Sequence, residues 1–333
     1  MKKYKVYGVG AALVDTEIKV EDSDLDTMGV EKGLMTLVDE NRQNELLAHL
    51  QGHLVTAKHA SGGSGGNSMI AIAYFGGPTF MSCKVADDTD GDIYLADLEA
   101  AGVTHGLTGV RDVGTTGKCL VMISPDAERS MNTFLSISET LSVEQVDAPA
   151  IADSEFVYLE GYLVTSPTGL QAAIKTREIA QSNGVKTALS FSDPGMVEFF
   201  REGMAAIIGD QLDLIFANEA EAKVWAQTED LDEAVEKLKL VAKSFAITLG
   251  AEGALTYDGS ELVKIPPHKV EAVDTNGAGD MFAGAFMYAI TRGEDYATAG
   301  RFASLAAGNV VAKFGPRLPA ADHAALRRAF FGD

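Results

Sequence analysis

The sequence predicts an α/β fold: a largely parallel sheet between two layers of helices, with a small β lid. Three observations lead there. Short apolar runs of strand length alternate with segments of helical spacing along most of the chain. Two stretches break that alternation and lack a following crossover helix. Two glycine-rich stretches each open a helical run, and α/β sheets bind ligands beyond the carboxyl ends of their strands.

The expected strands are Lys5–Gly10, Thr79–Cys83, Phe156–Glu160, Thr187–Ser192, Leu212–Ala217 and Phe245–Leu249. Helical spacing runs over Ser68–Phe75, Ile93–Ala100, Thr168–Ser182, Met196–Ile208 and Leu231–Val241. Strand–helix alternation implies right-handed crossovers and a sheet covered on both faces. The breaks are Thr16–Leu37, with its β-like EIKV run and acidic stretch, and Gly114–Leu135, which reads as a hairpin turning at Pro125–Asp126. Together they read as a lid of about residues 16–37 and 114–135 on a single unit spanning 1–333. The C-terminal part is expected to hold two helices, Ala278–Thr291 and Asp295–Lys313, the second ended by FGPRLP.

With 333 residues, 46% of them hydrophobic, the chain can bury a large core, as one big domain with an appendage or as two. A formal net charge of −21 argues against nucleic-acid and anionic-membrane partners, which need clustered Lys and Arg. A polyphosphate ligand would need backbone N–H groups, a metal ion or a few arginines to make its site locally positive. Cys83 and Cys119 lie in apolar runs and read as buried thiols, which fits a reducing cytoplasm. The N-terminal MKKYKVYGVG enters a strand-like run, not a signal-peptide core, and no run has transmembrane length. The sequence is silent on oligomeric state.

The most informative string is DTNGAGDMFAGAF, Asp274–Phe286. Gly277, Ala278 and Gly279 precede an apolar helical run, where unpaired N–H groups and the helix dipole favour an anion. Asp280, in the first turn beside that anion site, can accept a proton from a hydroxyl; the plain alternative is a helix cap. SGGSGGNS lacks the Lys-Ser/Thr ending of a P-loop. Its Asn67 can cap the helix or bond a polyol. NEAE after LDLIFA places Asn218 and Glu221 near a strand end, either at a metal–phosphate complex or as a capping box. Asp15 follows the first strand.

These residues resemble the ribokinase-like (PfkB) carbohydrate kinases. GVGAALVD, GGSGGNS, ERSMNTFL, FVYLEGYLVTSP, SDPGMVEFF, DLIFANEAEA and DTNGAGD have counterparts there in the same order, most similar to the adenosine kinase branch. The resemblance spans nearly the whole chain and implies a three-layer α/β/α fold with a β lid. It implies ATP and Mg²⁺ as co-reactants, with Asp280 as base and Gly277–Gly279 as anion hole. Asp15 would clamp the sugar hydroxyls, and Gly62, Gly63 and Asn67 would complete that site. Arg129 would reach the γ-phosphate from the lid.

The resemblance further implies Glu221 acting on Mg²⁺ through water, beside Asn218. Thr248, Gly250 and Gly253 would form the nucleotide loop, and Asn309 would border the adenine of ATP. Asp274 lies where some members hold K⁺. Phe134 and either Tyr162 or Leu163 would face a nucleobase. The resemblance implies phosphoryl transfer to the 5′-hydroxyl of a nucleoside, adenosine ahead of inosine or guanosine and of free ribose or fructose, although FGPRLP departs from the animal-type enzymes. A non-catalytic binder of the same fold would have no need of Asp280.

Overall fold

The computed structural model describes residues 2–52, 58–126 and 128–333. Along the chain the strands are β1 (Tyr4–Val9), β2 (Leu13–Lys19), β3 (Met35–Leu37), β4 (Lys58–Gly62), β5 (Thr79–Ser82), β6 (Thr104–His105) and β7 (Gly117–Ile123). They continue with β8 (Arg129–Phe134), β9 (Ser154–Glu160), β10 (Lys186–Ser190), β11 (Leu212–Asn218), β12 (Ala242–Thr248), β13 (Ala254–Tyr257) and β14 (Leu262–Ile265). The helices are α1 (Asp22–Met28), α2 (Glu40–His49), α3 (Ser64–Phe75), α4 (Thr89–Ala101), α5 (Ala148–Ala152), α6 (Pro167–Ser182) and α7 (Pro194–Phe199). After these come α8 (Arg201–Ile208), α9 (Glu219–Ala226), α10 (Leu231–Leu238), α11 (Ala278–Arg292), α12 (Tyr296–Val311) and α13 (Ala320–Phe331).

The large sheet has nine strands in the order β14-β13-β12-β11-β10-β9-β1-β5-β6. It is parallel from β12 to β6, and only β13 runs opposite, pairing antiparallel with β12 on one side and β14 on the other. From β1 the chain steps one way to β5 and later returns to β9 on the other side, so strand order reverses between β1 and β9. That reversal opens a crevice at their carboxyl ends. Both faces are buried. Val6, Tyr158, Leu214 and Ala246 pack with α3, α11 and α12, while Tyr7, Val157, Leu159, Ile215 and Phe245 pack on the α5–α10 side. Two-sided burial is why these strands read as continuous apolar runs.

The second sheet, β3-β8-β7-β2-β4, stands over the same crevice. Its outer face carries Ile18, Leu120 and Met122, sealed by Leu25 and Met28 of α1 and Leu46 of α2. Its inner face presents Leu13, Asp15, Cys119, Met131, Thr133 and Leu135 to the cavity.

Several sequence expectations need correcting. The acidic stretch after β2 is helix α1, closed by a Glu21–Asp24 capping box and by Gly29 at φ 62°. Strand β4 had no expected counterpart. Helix α3 starts at Ser64, not Ser68, because Gly63 turns the chain at φ 82° and Gly65 and Gly66 fit where side chains would not. A Cβ on Gly65 would lie 2.8 Å from Glu160 Oε2, and one on Gly66 2.6 Å from the Tyr94 hydroxyl. The helix expected over Met196–Ile208 is broken at Phe200 into α7 and α8. A third C-terminal helix, α13, follows FGPRLP and covers Phe75 and Phe302 with His323 and Phe331. No helix among the described residues is long and apolar enough to cross a membrane.

Candidate active site

The crevice between the two sheets is a cavity of about 410 Å³. Strand ends and helix starts of the large sheet form its floor: Ala11, Glu160, Ser190, Asn218, Thr248 and the turn Thr275–Asp280. Helix α11 begins at Gly277, whose φ of 73° lets the chain enter the helix while its Cα abuts the Pro316 carbonyl. A Cβ there would lie 2.0 Å from that oxygen, so only glycine fits. The first turn of the helix faces the cavity, where its N–H groups lack intrahelical acceptors.

Asp280 stands third in α11. Its Oδ1 accepts from the Ser64 hydroxyl at 2.6 Å and its Oδ2 from the Asn67 amide at 2.9 Å. These bonds from α3 aim the carboxylate across the crevice. Burial pushes its pKa above the usual carboxylate value, while the Ser64 and Asn67 bonds and the charges of Arg129 and Arg317 act the other way. Asn67 therefore holds the Asp280 carboxylate instead of capping α3. Its Oδ1 is buried without a partner.

Asp15, on β2, is buried against Gly62, where a Cβ would lie 2.1 Å from the carboxylate. Burial, reinforced by Glu17, raises Asp15 to about 8, with Arg317 and Arg129 opposing. Arg129 on β8 crosses to the floor and donates to the Thr275 carbonyl at 3.0 Å and to Asn276 Oδ1 at 3.5 Å. Asn218 and Glu221 form the capping box: Glu221 accepts from the Asn218 N–H at 2.9 Å and its amide at 2.8 Å. Burial lifts Glu221 to about 7. Asp274 is fully buried and braces the loop by accepting from the Asn276 N–H at 2.8 Å and the Gly315 N–H at 2.9 Å.

Of the residues singled out from the sequence, the structure gathers Asp15, Gly63, Asn67, Arg129, Tyr162, Asn218, Glu221, Thr248 and Gly277–Asp280 on one wall system. Of the pair Tyr162 and Leu163, Tyr162 lines the cavity and Leu163 is buried in the core. Gly62 lies behind Asp15. Phe134 is not on the cavity wall, since strand alternation shows Met131, Thr133 and Leu135 to the cavity and turns Phe134 away. Gly250, Gly253 and Asn309 also lie off this wall; Gly250 and Gly253 have φ of 55° and 94°, and Asn309 bonds the Leu305 carbonyl along α12.

Two residues escaped the sequence reading. Ser64 was hidden in a glycine run. Glu160, at the end of β9, accepts from the N–H groups of Ala11 at 3.0 Å and Gly65 at 3.2 Å, and burial raises it to about 8. Its only sequence signal was a carboxylate closing an apolar strand.

A carboxylate in the first turn of a helix, a second carboxylate buried across the cavity lining and an arginine reaching the Thr275 carbonyl just before that helix suit phosphoryl transfer to a hydroxyl. The pfkB family carbohydrate kinase model matches residues 36–323. The chain belongs to the pfkB family of carbohydrate kinases. It is an ATP-dependent phosphotransferase of the ribokinase-like fold. It is similar to the adenosine kinase of Schizophyllum commune, 31% identical over 330 residues that cover 89% of this chain and 91% of that protein. The solved adenosine kinase of Sinorhizobium meliloti superposes with a TM-score of 0.93 at 35% identity, covering 98% of this chain and 99% of that one. A Rhizobium etli protein described as a sugar kinase superposes equally well, with a TM-score of 0.93 at 33% identity, covering 99% of this chain and 100% of that one.

Proposed function

We propose that this pfkB-family kinase transfers the γ-phosphoryl group of ATP to the 5′-hydroxyl of adenosine. The observation that carries the reading is that one cavity is lined both by the helix start with Asp280 and by an apolar wall of Leu13, Met35, Cys119, Met131 and Leu135. A free sugar would leave that wall wetted, whereas burying a purine face on it gains about 25 cal/mol per Å².

In this reading the small sheet, with residues 16–37 and 114–135, acts as the lid. Asp15 accepts the ribose hydroxyls, whose protons favour an ionised carboxylate over the buried neutral one. Asp280, held by Ser64 and Asn67, takes the 5′-hydroxyl proton as the oxygen attacks. The N–H groups at Gly277–Gly279 and the Arg129 guanidinium face the developing phosphoryl charge. Among the described residues no cluster of three or more His, Cys, Asp or Glu forms a metal cage. Mg²⁺ would thus sit on the ATP phosphates, with Glu221 reaching it through water. When bound, it would neutralise phosphate charge. Asp274, committed to two backbone amides, shapes the loop beside which K⁺ would bind.

The test is kcat/KM for adenosine, inosine, guanosine, ribose and fructose. Adenosine should lead. A free sugar preferred over every nucleoside would overturn the nucleoside reading, and a preference for inosine would move only the choice of base.

A further inference from the structure

The FGPRLP segment plays no part in the chemistry above, yet it touches both halves of the site. Gly315 donates to Asp274 Oδ2 at 2.9 Å, and the Pro316 carbonyl rests on Gly277 Cα. Arg317 then turns away from the anion loop. Its Nη2 donates to Asp97 Oδ2 on α4 at 2.6 Å and to the Ser61 carbonyl on β4 at 3.0 Å. The Ser61 hydroxyl closes the triangle on the same Asp97 oxygen. The Arg317 side chain is only 13% exposed. Ser61 directly precedes Gly62, whose Cα lies against the Asp15 carboxylate, and Gly63, whose turn starts the helix that supplies Ser64 and Asn67.

We propose that Arg317 is a positioning residue for the acceptor half of the site. Through Ser61 and Asp97 it fixes the Gly62–Gly63 turn against Asp15, and through Pro316 it ties that turn to the helix start at Gly277. Both bonds leave from the two N–H groups of Nη2, whose directions are fixed in the guanidinium plane, whereas an ammonium on a flexible stem holds its donors in no fixed plane. Its charge also opposes the rise that burial imposes on Asp15 and Asp280. Loss of Arg317 would free the turn and take one donor from the Ser61 carbonyl while leaving the ATP side, on Asn218 and Thr248, in place.

The inference rests on the kinase reading of the site, and its test separates the two. The variants are Arg317→Ala, Arg317→Lys, Asp97→Asn and the control Lys313→Ala, which removes an exposed pair between the residue preceding FGPRLP and Asp322 of α13. KM for adenosine and for ATP, and calorimetric binding of adenosine and of a non-hydrolysable ATP analogue, are measured for each. Arg317→Ala should raise KM for adenosine about 10- to 100-fold, the cost of displacing a binding group by an ångström or so, and move KM for ATP by less than about twofold.

Arg317→Lys should recover part of the loss, and Asp97→Asn should shift the same constant in the same direction. The double variant should be no worse than Arg317→Ala alone, since both remove one network. If Arg317→Ala fails to fold, the nearly isosteric Asp97→Asn carries the test. Equal losses for ATP and adenosine, or an unchanged adenosine KM in a folded variant, overturn the assignment. An unchanged adenosine KM alongside a defective Asp15→Ala would leave the kinase reading intact and remove only Arg317 from it.

Discussion

Replacing Asp280 by Asn tests the proposed base with little disturbance around it. The carboxylate accepts one bond from Ser64 and one from Asn67. In the variant the Asn oxygen still accepts from Asn67, and its amide group donates to the Ser64 hydroxyl once that hydroxyl rotates. No buried partner is orphaned, so the fold should survive. Burial raises the Asp280 pKa, which means that the folded state disfavours the charge. A neutral isostere should therefore melt no lower than the parent at neutral pH.

The chemical loss should be large by contrast. General base catalysis is worth about 10²- to 10⁴-fold, or roughly 3–5 kcal/mol of barrier. Because the proton moves only on the way to the transition state, kcat should carry the loss and both KM values should change little. The assay is coupled ADP release at saturating ATP and adenosine, with thermal melting in parallel. A variant that keeps more than about a third of the parent kcat refutes the role, because such a loss falls far below that range. A variant that loses activity together with a large fall in melting temperature would show that Asp280 is mainly structural.

Asp15→Ala should weaken adenosine binding by about 1.5–3 kcal/mol for each charged hydrogen bond lost and leave ATP affinity unchanged, as read by calorimetry. Equal weakening of both ligands would make Asp15 structural. Glu160 offers a stability test with a definite sign. Its folded value of about 8 lies above the ordinary 4.5, so the stability linked to its proton is complete below pH 4.5 and is lost as pH rises through 8. Glu160→Gln should therefore match the parent near pH 4 and exceed it above pH 8 by about 1 kcal/mol or more, read from denaturant midpoints. Identical pH profiles for the two proteins would mean that Glu160 is ionised in the fold.

The parallel strands were legible because burial on both faces writes an unbroken apolar run into each one. Strand β4, KHASG, has no such run: it is held by pairing with β2 at the edge of the second sheet, a long-range fact that composition does not carry. Asp280 could be read from its place after GAG, a local signal. Glu160 could not, since its role arises where Ala11 and Gly65, far apart in sequence, both donate to it. Phe134 was misplaced for a reason that the sequence did contain. If Arg129 faces the cavity, strand parity sends residues 131, 133 and 135 the same way and turns 134 outward. The split at Phe200 had a weaker signal, because apolar spacing continues through it.

The sealed outer face of the second sheet gives neighbouring positions of one strand separate tasks. Along β8, Ser130 and Asn132 belong to the side backed by α1 and α2, and substitutions there act on how well the slab holds together. Met131 and Thr133 face the cavity, Met131 beside the Val121 and Ile123 cluster and Thr133 donating to the Cys119 sulfur at 3.3 Å. A substitution at Met131 or Thr133 thus changes the cavity wall, and one at Ser130 or Asn132 changes the layer behind it.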